Sequence, residues 1–202
     1  MNERELNYRL PKRVKLNIAC VYLDNYKKAD DRGVIAKAKE VLEKHNIELN
    51  VWPANGTKQT GVNTLTYLDL PEISDMEKQE MKLIPHEDSA YQAVRRAVDK
   101  KIKGQCTAVY ALPVVFCQYI HPGYGVAPSQ TKLATSLTRA CFIAMSGNSD
   151  NMDLLHEMGH SVATIGDGHS PDKGNFMHEA NGRTFMYRFQ VERMGRAFYA
   201  VG

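Results

Sequence analysis

Five consecutive residues, His156-Glu157-Met158-Gly159-His160, constrain this chain more than any other stretch of it. On an α-helix, residues four apart lie on the same face, so His156 and His160 can reach one metal ion together. Glu157 would lie beside that ion, where a carboxylate can accept a proton from an activated water. The pattern therefore predicts a helix that carries two zinc ligands and a general base.

The residues around this motif favour a buried helix over a solvated one. Asp150 is a good N-cap, and Asp153 would lie in the first turn, where a negative charge is favourable. Gly159 would occupy the helix interior, where glycine costs about 1 kcal/mol relative to alanine. We therefore expect another part of the chain to pack closely against the helix at Gly159.

Composition narrows the class of protein. The chain has 202 residues and a formal net charge of +3, with its Lys and Arg residues scattered, so we expect no nucleic-acid partner. No apolar run approaches the ~20 residues that span a membrane, and residues 1–6 lack the apolar core of a signal peptide. Four separated cysteines form no C-x-x-C pair; buried free thiols are the simplest interpretation, with one disulfide as the alternative.

Periodicity predicts alternating strands and helices, and hence a mixed α/β fold in a single domain, 1–202. The first strand, helix and strand resemble a βαβ unit. The predicted strands are Val14–Leu23, Ile47–Trp52, 64–70, 107–116 and 140–145. The predicted helices begin at Asp30-Asp31, at Ser74, at Glu87 or Asp88, at Asp150 and at Arg183, the last running to about Ala200.

A catalytic zinc ion usually has three protein ligands and one open position, so one ligand remains to be found outside the helix. Residues of suitable chemistry follow the motif within a short stretch of chain. The candidates are Asp167, His169, His178 and Glu179.

The motif and the residues after it resemble the metzincin metallopeptidases, most closely the matrixins. Their signature is H-E-x-x-H-x-x-G-x-x-H, followed by a methionine turn. This chain reads H-E-M-G-H-S-V-A-T-I-G-D-G-H-S-P-D-K-G-N-F-M-H over residues 156–178. A three-residue insertion restores the glycine at Gly166 and the histidine at His169, and Met177 then follows the histidine by eight residues.

The resemblance implies the roles of individual residues. It assigns His156, His160 and His169 as zinc ligands, Glu157 as the general base and Met177 as the methionine beneath the metal. Glu179, which would give a site like that of the gluzincins, and Asp167 remain alternative third ligands, and His178 is a weaker one. The resemblance also implies a twisted four- or five-stranded mixed sheet, two or three helices, the active-site helix and a C-terminal helix. The upper part would cover about 1–166 and the lower part 167–202.

The predicted function is zinc-dependent hydrolysis of peptide bonds, with a protein or peptide as substrate. A non-peptide zinc hydrolase and a non-catalytic zinc-binding domain are the alternatives, although Glu157 argues against a purely structural site. His121 and Tyr124, in a glycine-rich segment, are speculative substrate contacts. No inhibitory propeptide or cysteine switch is recognisable, so a dedicated inhibitor or immunity protein is one expectation. The resemblance favours secretion or delivery outside the producing cell, with a cytoplasmic protein as the alternative.

Overall fold

The computed structural model describes residues 7–24, 26, 32–70, 88–103, 110–118, 134–137, 142–146, 152–162, 168–179 and 182–201. The strands are β1 (Val14–Leu23), β2 (Ile47–Trp52), β3 (Thr64–Leu65), β4 (Leu112–Cys117), β5 (Ala134–Leu137), β6 (Phe142–Ser146) and β7 (Ala200–Val201). The α-helices are α1 (Arg32–Lys44), α2 (Asp88–Ile102), α3 (Asp153–Ser161) and α4 (Arg188–Met194). The predicted mixed α/β fold class is confirmed.

The strands form one mixed sheet in which β1 is the central member. The main order is β2-β1-β4-β6-β5, and the short strands β3 and β7 also pair with β1. Strands β2, β3 and β4 pair parallel with β1, and β6 pairs parallel with β4. Strand β5 is antiparallel to β6, and β7 is antiparallel to β1. Parallel neighbours require crossover connections, which is why strands and helices alternate along the chain.

Apolar side chains cover both faces of this sheet. Leu16, Ile18, Cys20 and Tyr22 of β1 belong to the larger core, which also contains apolar residues of α1, α3 and α4. Val21 and Leu23 point to the opposite face, where they cluster with residues of α2. The near-continuous apolar sequence of β1 is therefore explained by burial on both faces.

The segment after the motif differs from its prediction. Instead of one helix over about 183–200, α4 covers only Arg188–Met194. Thr184 and Phe185 donate backbone hydrogen bonds to Gly174, so this stretch is extended rather than helical. The helix ends at Gly195, where a Cβ atom would lie 2.6 Å from Leu10 Cδ1. Tertiary contacts thus shorten a helix whose apolar periodicity alone would extend further.

Several predictions fall partly outside the described residues. The helix expected after Ser74 lies there, and the single-domain boundaries stay a prediction. The N-cap expected at Asp150 is wrong, because the motif helix begins at Asp153 and its N-cap is Met152. Cys20 and Cys117 are buried and are not in disulfides, and burial raises the pKa of the Cys117 thiol, as expected for a structural cysteine. Within the described residues, no helix combines the length and apolar character needed to cross a membrane.

Candidate metal centre

Helix α3 carries the H-E-x-x-H motif and lies almost entirely inside the protein. All residues from Asp153 to Gly159 are buried. Leu154, Leu155 and Met158 are fully buried in the larger apolar core. His156 and Glu157 are only 6% and 8% exposed, so the motif does not lie on a solvated surface helix.

His156 is held in one tautomer by a backbone carbonyl. Its Nδ1 lies 2.9 Å from the carbonyl oxygen of Phe176. A carbonyl can only accept, so Nδ1 carries the proton and the neutral ring presents Nε2 as an acceptor or ligand. Burial lowers the pKa of His156 to about 4, although the hydrogen bond to Phe176 opposes that effect. The ring is therefore neutral near pH 7, as a metal ligand must be.

The three histidines converge as ligands of one ion would. Nε2 of His160 lies 3.2 Å from Nε2 of His156. Two nitrogens bound to a tetrahedral zinc at about 2.0–2.1 Å would be separated by roughly 3.3–3.4 Å. One ligand atom from each of His156, His160 and His169 lies within 4.8 Å of the others. Among the described residues, these are the only three metal-ligating side chains grouped in this way. The donor set therefore fits a zinc ion.

Gly159 is required because two side chains pack directly on the helix there. A Cβ atom at this position would overlap the Met177 sulfur and would lie 2.6 Å from Phe176 Cε2. Both side chains are fully buried. The close packing expected at Gly159 is thus present, and it brings the predicted methionine of the turn against the helix that carries the histidines.

Side-chain hydrogen bonds shape the turn that contains Met177. The turn closes with a hydrogen bond from His178 N to Asn175 O at 2.9 Å, and Asn175 Oδ1 accepts from Met177 N at 3.0 Å. The Asn175 amide also exchanges two hydrogen bonds with the amide of Gln190 in α4. Both amides are fully buried, so this pair joins the turn to α4.

A buried ion pair joins the start of α3 to the chain beyond the turn. Arg183 Nη2 lies 2.8 Å from Asp153 Oδ1, and the two side chains are 4% and 7% exposed. Asp153 lies in the first helical turn, where the helix dipole also favours its charge. The positive charge of Arg183 contributes to the lowered pKa of His156, so this pair lies within electrostatic reach of the histidines.

The other candidates from the sequence are placed differently. Glu179 is not in the histidine group; its Oε1 lies 3.0 Å from Nδ1 of His169. His178 is outside the group as well.

The remaining candidates lie outside the described residues; they are Asp167, His121 and Tyr124. The three-residue insertion, within residues 163–166, lies there too. Glu157 follows His156 on α3 as expected.

Sequence reasoning missed two of the contacts that build the centre. Neither the ion pair of Arg183 with Asp153 nor the amide pair of Asn175 with Gln190 was anticipated, since each joins residues at least 15 positions apart. The sequence marks Asp153 only as a favourable negative charge in the first helical turn. No local pattern marks Arg183 or Gln190 as the partner of Asp153 or Asn175, because pairs between residues so far apart in the chain have no characteristic spacing.

Comparison with known proteins gives matches to solved structures only. No protein-family model matches the sequence, and no curated protein matches it. Archaemetzincin from Methanopyrus kandleri aligns at 15% identity over 90% of this chain and 94% of that one, with a TM-score of 0.44. Mature mirolysin from Tannerella forsythia, determined with a cleaved peptide, aligns at 12% identity over 90% of each chain, with a TM-score of 0.48. A zinc-dependent peptidase from Methanocorpusculum labreanum aligns at 12% identity over 87% of this chain and 92% of that one, with a TM-score of 0.35.

Proposed function

We propose that this protein is a zinc-dependent endopeptidase of the metzincin type. One observation carries the proposal: ligand atoms of His156, His160 and His169 lie within 4.8 Å of one another, with Glu157 next to the first of them on a buried helix. Three imidazoles with a fourth position left over are the donor set of a catalytic zinc site, whereas a structural site is closed by a fourth protein ligand. Met177 packed beneath the helix at Gly159 supports the same assignment.

The proposed mechanism divides the chemistry between the ion and the chain. Zinc in such a site would lower the pKa of a bound water toward neutrality and would polarise a substrate carbonyl. Glu157 would accept the proton of a water activated there as it attacks the peptide carbonyl, and would return it to the leaving amine. His156 and His160 would hold the ion from α3, and the contact of His156 Nδ1 with Phe176 leaves Nε2 as its ligand nitrogen. The burial of Glu157 places its carboxylate in surroundings where little water competes for the proton.

The alternatives from the sequence differ from the proposed function in their third ligand or in their turnover. A gluzincin-like site would use Glu179 as its third ligand, but its carboxylate contacts the imidazole of His169 instead. A non-peptide hydrolase and a non-catalytic zinc domain share the histidine group and differ only in turnover. Export from the producing cell and a dedicated inhibitor stay predictions that rest on the sequence resemblance.

A peptide-cleavage assay with Glu157→Gln tests the proposal. We expect the purified wild type to bind one zinc ion and to cleave members of a mixed peptide library. The Glu157→Gln variant should bind zinc but lose about 10²–10⁴-fold in cleavage rate, because the amide cannot accept the proton. Mass spectrometry of the products and elemental analysis of the metal measure the two properties separately.

A control at Glu40 makes the assay specific. Glu40 lies on α1, exposed and paired with Lys37 and Lys44, so Glu40→Gln should cleave peptides like the wild type. Zinc binding without any Glu157-dependent cleavage would contradict the peptidase assignment and favour a binding domain. Glu157-dependent turnover of non-peptide amides alone would favour the other hydrolase class.

A further inference from the structure

The third histidine contacts a carboxylate rather than a backbone carbonyl. Nδ1 of His169 lies 3.0 Å from Oε1 of Glu179, ten residues further along the chain. This contact uses one ring nitrogen, so Nε2 is the nitrogen that His169 can offer to a metal ion. Glu179 therefore lies beside the ring nitrogen that faces away from the ion, and its Oε1 is not available to the same ion while it contacts Nδ1.

One short segment, residues 176–179, orients two of the three imidazoles. The carbonyl of Phe176 accepts from Nδ1 of His156, and the carboxylate of Glu179 contacts Nδ1 of His169. These two rings are stacked, with an interplanar angle of 14° and a centroid separation of 5.1 Å. The ring of His160 is nearly perpendicular to both, at 82° and 84°. The stacked pair is thus the pair whose Nδ1 partners come from the methionine turn.

The two Nδ1 partners differ in charge and in exposure. Phe176 is fully buried, whereas the Glu179 side chain is 76% exposed and that of His169 is 35% exposed. A charged acceptor makes a stronger hydrogen bond than a neutral carbonyl, which favours a carboxylate where water competes for the ring nitrogen. An exposed contact of this kind contributes little to folding stability. Its effect should therefore appear in metal binding and not in the stability of the fold.

We propose that Glu179 is a positioning residue for the third zinc ligand: its carboxylate fixes the tautomer and ring orientation of His169 so that Nε2 faces the ion. The proposal rests on the zinc site of the proposed function and deepens it. Carboxylates that contact the outer nitrogen of a zinc-bound histidine commonly affect metal affinity by about 10–100-fold when they are removed. Glu179 has the chemistry and the contact for this role.

Zinc affinity, measured by competition with a chromophoric chelator, tests the role of Glu179. We expect Glu179→Ala to weaken zinc binding by about 10–100-fold, and Glu179→Gln to have a smaller effect because its amide oxygen still accepts from Nδ1. The Glu40→Gln control should bind zinc like the wild type. Urea unfolding of the metal-free proteins should give the same midpoint for all four, since the side chain of Glu179 is largely exposed.

Cobalt substitution distinguishes a positioning residue from a ligand. In the Co²⁺-loaded proteins, Glu179→Ala should keep the visible absorption bands of the wild type, because all three nitrogen ligands remain. His169→Ala should change the bands and lose more affinity. Bands in Glu179→Ala that match those of His169→Ala, with an equal loss of affinity, would identify Glu179 as a ligand and overturn the proposal.

The remaining outcomes separate this proposal from the proposed function. Zinc affinity unchanged in Glu179→Ala would also overturn the positioning role, whatever the peptidase assay shows. If the wild type binds zinc but cleaves no peptide, the proposed function fails while the affinity series still tests Glu179. If the wild type binds no zinc, both proposals fall.

Discussion

Helix α3 and the turn segment 168–179 each bring histidines to the histidine group, but they are held in place by different forces. Every residue of α3 from Asp153 to Gly159 is buried, and its apolar side chains belong to the main core. The turn segment has no regular helix or strand, and its shape depends on the amides of Asn175 and Gln190. The comparison teaches that burial of a whole helix positions two of the histidines, whereas the third depends on a turn that has only Phe176 and Met177 in that core and is shaped by side-chain hydrogen bonds.

The largest effect should come from breaking the ion pair that joins α3 to Arg183, in the chain just beyond the turn segment. Replacing Arg183 with Met leaves the Asp153 carboxylate buried without its charged partner, which costs about 3–5 kcal/mol of unfolding free energy. Urea denaturation of the metal-free protein measures this loss. The double variant Asp153→Leu with Arg183→Met should recover most of it, since no uncompensated charge remains. A single-variant cost below about 1 kcal/mol would mean that packing, rather than this ion pair, holds α3 to the chain beyond the turn.

A smaller effect should follow from a change at the surface where the two regions touch. Gly159→Ala places a methyl group against the Met177 sulfur and the Phe176 ring, and overpacking of this kind costs about 1–3 kcal/mol. Alanine stabilises a helix by about 1 kcal/mol relative to glycine, so any net loss of unfolding free energy must come from the contact with Met177 and Phe176. Differential scanning calorimetry shows whether the melting temperature falls, as expected. Combining Gly159→Ala with Met177→Ala should cost less than the sum of the two single changes.

The smallest effect should be the loss of a hydrogen bond at the end of α3. The Tyr199 hydroxyl lies 3.0 Å from Ser161 Oγ, which also donates to Met158 O at 2.6 Å. Tyr199→Phe removes the first contact and leaves the second, so we expect a cost of about 0.5–1.5 kcal/mol. Asn175→Ala is the matched comparison in the turn segment, and it should cost more because it leaves the buried Nε2 of Gln190 without its acceptor. Chemical denaturation of both variants ranks them, and a larger cost for Tyr199→Phe would contradict the contrast between the regions.

The sequence predicted the elements whose signals are local. Strands Val14–Leu23 and Ile47–Trp52 have their predicted bounds, because alternation and turn residues mark both ends. The spacing of His156 and His160 requires only a helix, and the reason expected for Gly159 is found in Met177 and Phe176. His169 joins the group as the resemblance implied, while the roles of these residues in catalysis stay predictions.

The parts that were not predicted depend on contacts between distant residues. Periodicity alone suggested a helix over 183–200, but Gly174 binds the backbone of Thr184 and Phe185, and Leu10 fills the space beside Gly195. Glu179 was considered as a ligand because its residue type suits zinc. Only the geometry shows that its carboxylate contacts His169 instead. Residue type predicted the chemistry of the site, whereas the partner of each polar group required the tertiary structure.

The pairing of β7 with β1 has a consequence for when the centre can form. Asn17 of β1 bonds to the carbonyl of Tyr199, 182 residues away, and β7 pairs with Lys15 and Leu16 beside it. Contacts over such separations close late in folding, because the entropy of a long loop must be overcome first. Chains emerge from the ribosome with their early residues first, so the central strand must wait for residues 199–201 before its pairing is complete. Tyr199 also contacts Ser161 at the end of α3. The end of α3 therefore gains its contact with Tyr199 only after the chain has been made through this strand.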